Sequence, residues 1–472
     1  MLTLANIFEA LTGFETTIGG SKMISEAVVD SRQVIPASMF VALPGERTDG
    51  HDFISIAFQN GAQIALVQKD VSNQFPTLDL RAGKSEGIKT IPEFPFCILV
   101  EDSLKGLQTI AGFWRRKLNI RVIGITGSVG KSTTKELTAE ILSQRYHTLK
   151  SQGNLNNEIG LPLSLLHLGK GHQCAVLEMG FYVPGEISLL CDIAKPQVGV
   201  ITNVGTVHAE RAGTQEIIAR GKAELVESLP SNGWAILNYD DPWVRPMAKK
   251  TAAQVFYYGL DPAADLWADE IEGLGLEGIR FKLHYKNEIL HMRVPLIGQH
   301  SVHTILRATA VGLVENLTWQ EIVSGLKLGR NQLRMVASYT STGALILDDS
   351  YNASPESTLA ALNLLADMDG NRIAVLGDML ELGPYEKSGH EMVGMRAAKV
   401  CNELVVVGER SKITAMAARQ AGMPESSIKW MSDSTQAADF LINHLQEGDT
   451  VLIKGSLGMH MSQITSTLEA IS

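Results

Sequence analysis

Eight consecutive residues carry the clearest chemical signal in the chain: Thr126-Gly127-Ser128-Val129-Gly130-Lys131-Ser132-Thr133. Glycines let backbone N–H groups close on phosphate oxygens, and a helix that opens directly after them adds the positive end of its dipole. Lys131 is placed to reach the β- and γ-phosphates of a nucleotide, and the Ser132 hydroxyl to face Mg²⁺. Ile125 occupies the first glycine position of the full pattern G-x-x-x-x-G-K-[ST], so only the shorter G-x-x-G-K-S stands. Alone, that string also fits a plain glycine-rich turn. The apolar run Val122-Ile123-Gly124-Ile125-Thr126 before it and a helical pattern from about Lys131 supply strand–turn–helix context, which points to ATP or GTP.

Other chemistry-bearing residues follow. Glu178 closes the apolar run Ala175-Val176-Leu177, and His208 follows Val198-Gly199-Val200-Ile201-Thr202 and a turn. A lone Glu there could cap a helix, and a lone His could be a satisfied structural residue. Taken with Lys131, they sit just beyond strand ends on one sheet edge, where a carboxylate and an imidazole could serve Mg²⁺. Lys222 falls in the apolar sector of an expected helix over Thr214–Leu229, among Ile217, Ile218, Leu225, Val226 and Leu229. Two readings are open: a lysine that snorkels to water, or a buried amine kept neutral by desolvation and able to add CO₂ as a carbamate.

The elements that must position these residues follow from the pattern of the whole chain. Its 472 residues favour two to four domains, at about 100–200 residues each. Hydrophobic residues make up 45% and charged residues 19%, which excludes a disordered chain. A formal charge of −10 excludes a broad basic surface for nucleic acid but not a local anion pocket. The 4 cysteines form no CxxC pair, and Cys97 and Cys174 lie in apolar runs as small buried hydrophobes. No apolar stretch approaches the ~20 residues that span a bilayer. The N-terminus lacks a basic leader and carries Glu9 and Glu15 early, so a cytoplasmic protein without a membrane partner is expected.

Three regions separate. Residues 1–100 hold short apolar runs broken by turns. Residues 101–333 alternate strand-like runs with helical patterns, which predicts a mainly parallel sheet. Residues 334–472 repeat that logic with runs at 344–348, 373–377, 404–408 and 451–455. The expected fold is therefore α/β in three domains: a small N-terminal one, a central phosphate-loop ATPase type and a Rossmann-like C-terminal one. Polar residues at the strand ends, including Glu178, Asp348-Asp349, Asp378 and Lys454, mark the edges where ligands bind in open parallel sheets.

The loop T-G-S-V-G-K-S-T resembles that of the Mur ligases and their folylpolyglutamate synthase relatives, which are ATP-dependent amide ligases of three domains. The resemblance extends through Asn154-Leu155-Asn156-Asn157-Glu158-Ile159-Gly160-Leu161-Pro162, a substrate loop; Glu178-Met179-Gly180 and Asn203 to His208, magnesium-site motifs; and Lys222-Ala223-Glu224, the setting of a carbamylated lysine. It implies two Mg²⁺ ions held by Ser132, Glu178, His208 and carbamylated Lys222. It implies ATP contacts at 127–133, Asn238, His300, Arg334 and Asp349, and substrate contacts at Asn154, Asn156, Asn157 and Asn352. Gly298-Gln299-His300 matches the family's nucleotide segment, but the usual Asn four residues after the histidine is Thr304, a departure at the adenine contact.

Asp348 to Pro355, and Gly377-Asp378-Met379-Leu380-Glu381-Leu382-Gly383 followed by His390, resemble the branch that adds D-alanyl-D-alanine. The Asp-Asn-Pro-Arg string of the branch adding the third amino acid is absent. Val29-Asp30-Ser31-Arg32, Phe40 to Gly45 and Thr48 to Phe53 resemble the uridine-nucleotide domain, with Ser31 and Arg32 at uracil or phosphate. Alone, Asp49-Gly50-His51-Asp52 reads as a polar turn. The implied reaction joins the terminal carboxylate of UDP-N-acetylmuramoyl-tripeptide to D-alanyl-D-alanine through an acyl phosphate, in peptidoglycan synthesis, by a monomer acting on small molecules. The alternatives are the branch adding diaminopimelate or lysine, and an inactive nucleotide-binding relative.

Overall fold

The computed structural model describes residues 2–45, 48–81, 88, 90–206, 209–328 and 336–470. His208 and Arg334 therefore lie outside the described residues. Among the described residues, three sheets follow one another in sequence order. The first has five strands, all parallel, in the spatial order Ala27–Val28, Met39–Val41, Ile64–Val67, Phe96–Leu99 and Thr77–Asp79. Its inner strands are buried on both faces, as continuous apolar runs demand.

The second sheet has nine strands. Its parallel part runs Leu266–Gly273, Gln254–Gly259, Trp234–Asn238, Val198–Ile201, Arg121–Thr126, Cys174–Glu178 and Thr148–Lys150. An antiparallel hairpin, Ile279–Tyr285 with Glu288–Val294, extends the far side. Sequence patterning did not single out this extension, because alternating polar positions such as Arg280, Lys282 and His284 weaken the apolar run. The third sheet runs Val336–Tyr339, Leu345–Asp349, Asp449–Lys454, Asn371–Gly377, Glu403–Val407 and Ile428–Met431, parallel except for its first strand. Among the described residues no helix is long and apolar enough to cross a membrane.

Order in the central sheet fixes the site. The strand ending at Thr126 lies between the strands ending at Glu178 and Ile201, with Ile125 opposite Glu178 and Thr126 opposite Ile201. The phosphate loop and Glu178 thus leave the sheet side by side. The Lys222 helix, Gln215–Glu227, is capped by the Thr214 side chain accepting from the Ile217 backbone N–H, a type of contact that contributes about 1 kcal/mol. Leu225 of this helix packs against Gly124 and Gly199, where a side chain on either strand glycine would come within 3.1 Å of it. Full burial of such a leucine stabilises by about 2 kcal/mol and presses the helix onto the strands.

Candidate functional site

The phosphate loop is held from below by the next strand's turn. The backbone N–H groups of Ser128 and Val129 donate to the Asn203 carbonyl and side-chain oxygen, and the Val129 carbonyl accepts from Thr202 Oγ1 and Asn203 Nδ2. Gly127 sits at φ +147°, and a Cβ there would lie 1.8 Å from Thr202 Oγ1, so only glycine fits. Ser128 is buried and its hydroxyl accepts from the Gly205 N–H. Gly130 caps the helix Lys131–Leu142. Lys131 Nζ lies over the loop, donating to the Gly127 and Ser128 carbonyls at 3.0 and 3.4 Å. Ser132 and Thr133 follow in the first turn.

Glu178 is the centre of the edge. It is 2% exposed, and its two carboxylate oxygens accept from Ser132 Oγ at 2.6 Å and Asn156 Nδ2 at 2.9 Å. Ser151 Oγ accepts from its backbone N–H. Asn156 therefore ties the asparagine loop to the phosphate loop through one carboxylate. Asn157 Oδ1 accepts from the Gly160 N–H and opens the next helix, whereas Asn154 is exposed.

Lys222 is 1% exposed, its amine 5.0 Å from the Phe181 ring centre. Among the described residues it has no hydrogen bond or ion pair. Burial, and secondarily the charge of Lys131, hold its pKa well below the ordinary lysine value. The snorkelling reading fails: the amine is enclosed and favoured in the neutral form. Among the described residues no three His, Cys, Asp or Glu side chains make a metal cluster by themselves. The Ser132 hydroxyl and the buried Glu178 carboxylate are adjacent hard oxygens, a donor set that fits Mg²⁺.

The C-terminal sheet brings a second edge against the first. Asp349, at the end of its strand, accepts from Lys454 Nζ at 2.5 Å, and Lys454 also donates to the Asn352 carbonyl at 2.9 Å. His300, exposed at the start of the helix Ser301–Val314, lies within electrostatic range of both Asp349 and Lys454. Glu356 accepts from the Thr206 N–H at 3.3 Å, and Glu210 N–H donates to the Glu381 carbonyl, so the loop at 378–383 docks on the central domain. His390 holds that loop: its Nε2 accepts from the Met379 N–H, and its Nδ1–H donates to the Glu386 carbonyl. Burial depresses its pKa and keeps it neutral.

Some expected residues stand apart. Asn238 is buried, with its amide engaged by the Thr202 carbonyl and the Asp240 N–H. Ser31 and Arg32 lie on the N-terminal sheet's turn, where Asp30 grips the guanidinium and its own pKa falls to about 2 through that hydrogen bond. His51 is structural: Nδ1 meets Asp49, and Nε2 accepts from the Gln68 and Lys69 N–H groups, which bears out the polar-turn reading. Sequence reasoning did not assign Ser151, the loop-holding role of Asn203 or the anchoring role of Lys454. Asn203 was singled out only within the magnesium-site motif, and Lys454 only as a lysine closing an apolar strand.

Similarity to known proteins runs along the whole length of the chain. Residues 24–91 match the Mur ligase family catalytic domain, 125–312 the Mur ligase middle domain, and 333–457 the Mur ligase glutamate ligase domain. The UDP-N-acetylmuramoyl-tripeptide–D-alanyl-D-alanine ligase of Synechocystis is 35% identical, covering 96% of this chain and 94% of its own. The chain belongs to the Mur ligase family. The crystal structure of MurF from Acinetobacter baumannii superposes with a TM-score of 0.84 at 29% identity, covering 99% of this chain and 98% of its own. MurF ligase from Thermotoga maritima in complex with ADP gives 0.79 at 28%, with 94% and 97% covered. The α/β architecture of parallel-sheet domains is thus shared along the whole Mur ligase chain.

Proposed function

We propose that this Mur ligase uses ATP to join the terminal carboxylate of UDP-N-acetylmuramoyl-tripeptide to D-alanyl-D-alanine, giving the pentapeptide precursor of peptidoglycan. The observation that carries the reading is the meeting of two domains beside the phosphate loop: Lys131, Ser132, Glu178 and the Lys222 helix belong to the central one, the His390-held loop and Asp349 to the C-terminal one, and they are joined at Thr206 with Glu356, at Glu210 with Glu381, and by His300 beside Asp349. Full-length similarity to ligases of that name supports the choice of branch. Residues 1–100 would hold the uridine nucleotide at Ser31 and Arg32, 101–333 the ATP, and 334–472 the incoming dipeptide near Asn352. The chain acts as a cytoplasmic monomer.

Transfer of phosphate to a carboxylate pushes an anion against a polyanion, so catalysis rests on positioning and charge. Lys131, now resting on loop carbonyls, turns to the β- and γ-phosphates, and loop N–H groups bind their oxygens. Ser132, Glu178, His208 and a carbamate on Lys222 would hold Mg²⁺, which when bound neutralises phosphate charge. Neutral Lys222 is the form that can take up CO₂. Asn154, Asn156 and Asn157 orient the tripeptide arm, and Asn238, His300, Arg334 and Asp349 the nucleotide.

A coupled assay of ADP release tests the reading. Turnover should need the tripeptide precursor and D-alanyl-D-alanine together, and Lys131→Ala should cost at least about 3–4 kcal/mol of barrier. Release of ADP with diaminopimelate or lysine on the dipeptide precursor instead would assign the sister branch, and ATP binding without turnover would mark an inactive relative.

A further inference from the structure

Arg307 is a buried cation that the reaction described above does not use. It lies on the helix Ser301–Val314, 4% exposed among apolar neighbours. Among the described residues no carboxylate pairs with it. Its guanidinium instead spans hydroxyls and a carbonyl: Nε donates to Thr134 Oγ1, and Nη2 donates to Thr304 Oγ1 at 2.7 Å and to the Gly130 carbonyl at 3.4 Å. Burial lowers its pKa, against a favourable interaction with the Tyr258 hydroxyl. Such an arrangement is costly, because a buried charge without a counter-ion pays its desolvation uncompensated.

Its position says what could offset that cost. Thr134 and Gly130 belong to the phosphate loop and the first turn of its helix. Gly130 holds φ +83°, and a Cβ there would lie 2.4 Å from Arg307 Nη2, so the loop backbone rests directly on the guanidinium. Thr304 is the position where the sequence departs from the family's usual asparagine. Its hydroxyl is buried and turned to Arg307. The helix turn therefore supports the loop.

We infer that Arg307, anchored by Thr304, is a positioning residue for the nucleotide's phosphate chain: from behind Gly130 it fixes the loop and supplies a positive charge that the phosphates answer across it. The inference rests on the proposed nucleotide site, and wild-type protein that binds neither ADP nor inorganic tripolyphosphate would remove that site first.

The test is calorimetric titration of the full-length protein with ADP, AMP and inorganic tripolyphosphate, in the presence of Mg²⁺. Arg307→Met should weaken ADP and tripolyphosphate by about tenfold, the scale of one charge acting across a loop, and AMP by less than about twofold. Arg307→Lys should return ADP to within about threefold of wild type. Equal loss for all three ligands, or no loss for any, overturns the inference while leaving the nucleotide site intact. Should Arg307→Met not fold, Thr304→Val decides: tripolyphosphate weakened by about threefold supports the anchor. Unchanged tripolyphosphate binding, including loss confined to ADP and AMP, overturns it by making Thr304 a base contact.

Discussion

Lys222 behind the central sheet edge and Lys454 behind the C-terminal edge are both withdrawn from solvent, 1% and 2% exposed, but their company differs. Lys454 meets the Asp349 carboxylate and two backbone carbonyls. Lys222 meets the face of Phe181 and has no acceptor among the described residues. One lysine is therefore a paired cation that fixes a strand end. The other is an amine pushed toward neutrality, the form the proposed carbamate requires. Burial alone assigns neither role; the partner does.

The same substitution should split the two. Lys222→Met removes the proposed carbamate ligand, and kcat/KM should fall by about 10²–10³, near the 3–4 kcal/mol of one preorganised charge group. Its folding stability should hold or rise, since an unpaired buried amine leaves with it. Depleting CO₂ should lower wild-type turnover and added bicarbonate restore it, with no such response in the variant. A destabilised Lys222→Met protein with near-normal turnover would break the comparison at its root.

Lys454→Met should behave in the opposite way. Removing one partner of a buried pair strands the other, and about 2–4 kcal/mol of stability should be lost in denaturant unfolding of the C-terminal domain, discounted for the partial exposure of Asp349. Replacing both, as Lys454→Met with Asp349→Asn, should recover more than half of that loss. If the double variant is no more stable than the single, Asp349 is not what Lys454 compensates.

This difference was only half legible in the sequence. Lys222 could be found because its helix has a 3.6-residue apolar period and the lysine falls inside the stripe, and the phosphate loop because its residues are contiguous. The partner of Lys454 lies 105 residues away and that of Arg307 173 residues away, joined only when strands and helices assemble. Two parallel-sheet regions, central and C-terminal, were readable from apolar runs closed by polar residues, whereas the N-terminal five-stranded sheet was seen only as short apolar runs between turns. The antiparallel hairpin at 279–294 was not readable, because a sheet edge with one wet face alternates polar and apolar residues.

Titration sharpens the comparison further. The Lys222 amine has a folded pKa below the unfolded lysine value of 10.5, so in that window the unfolded chain binds the proton and the folded chain does not. Stability then rises with pH, by up to about 1.4 kcal/mol per pH unit for one proton, until pH passes the unfolded value. In CO₂-free buffer, denaturation midpoints of wild type against Lys222→Met should converge from the alkaline side and separate as pH falls, with wild type the weaker. A flat difference would place a proton on Lys222 in both states.

Arg32 marks the opposite limit, a cation that is neither buried nor poised. Its side chain is 86% exposed and, among the described residues, held only by Asp30, two residues away. An exposed local pair contributes little to folding, so Arg32→Ala should leave the thermal midpoint unmoved. The guanidinium is nevertheless pre-aimed by Asp30, which fixes its fork at the turn. If it meets the uridine nucleotide's phosphate or base, Arg32→Ala should raise KM for the tripeptide precursor by about tenfold and leave KM for ATP and kcat unchanged. A fall in kcat with unchanged KM would move Arg32 from the substrate's distal end toward the reacting edge, where Lys131 supplies the positive charge.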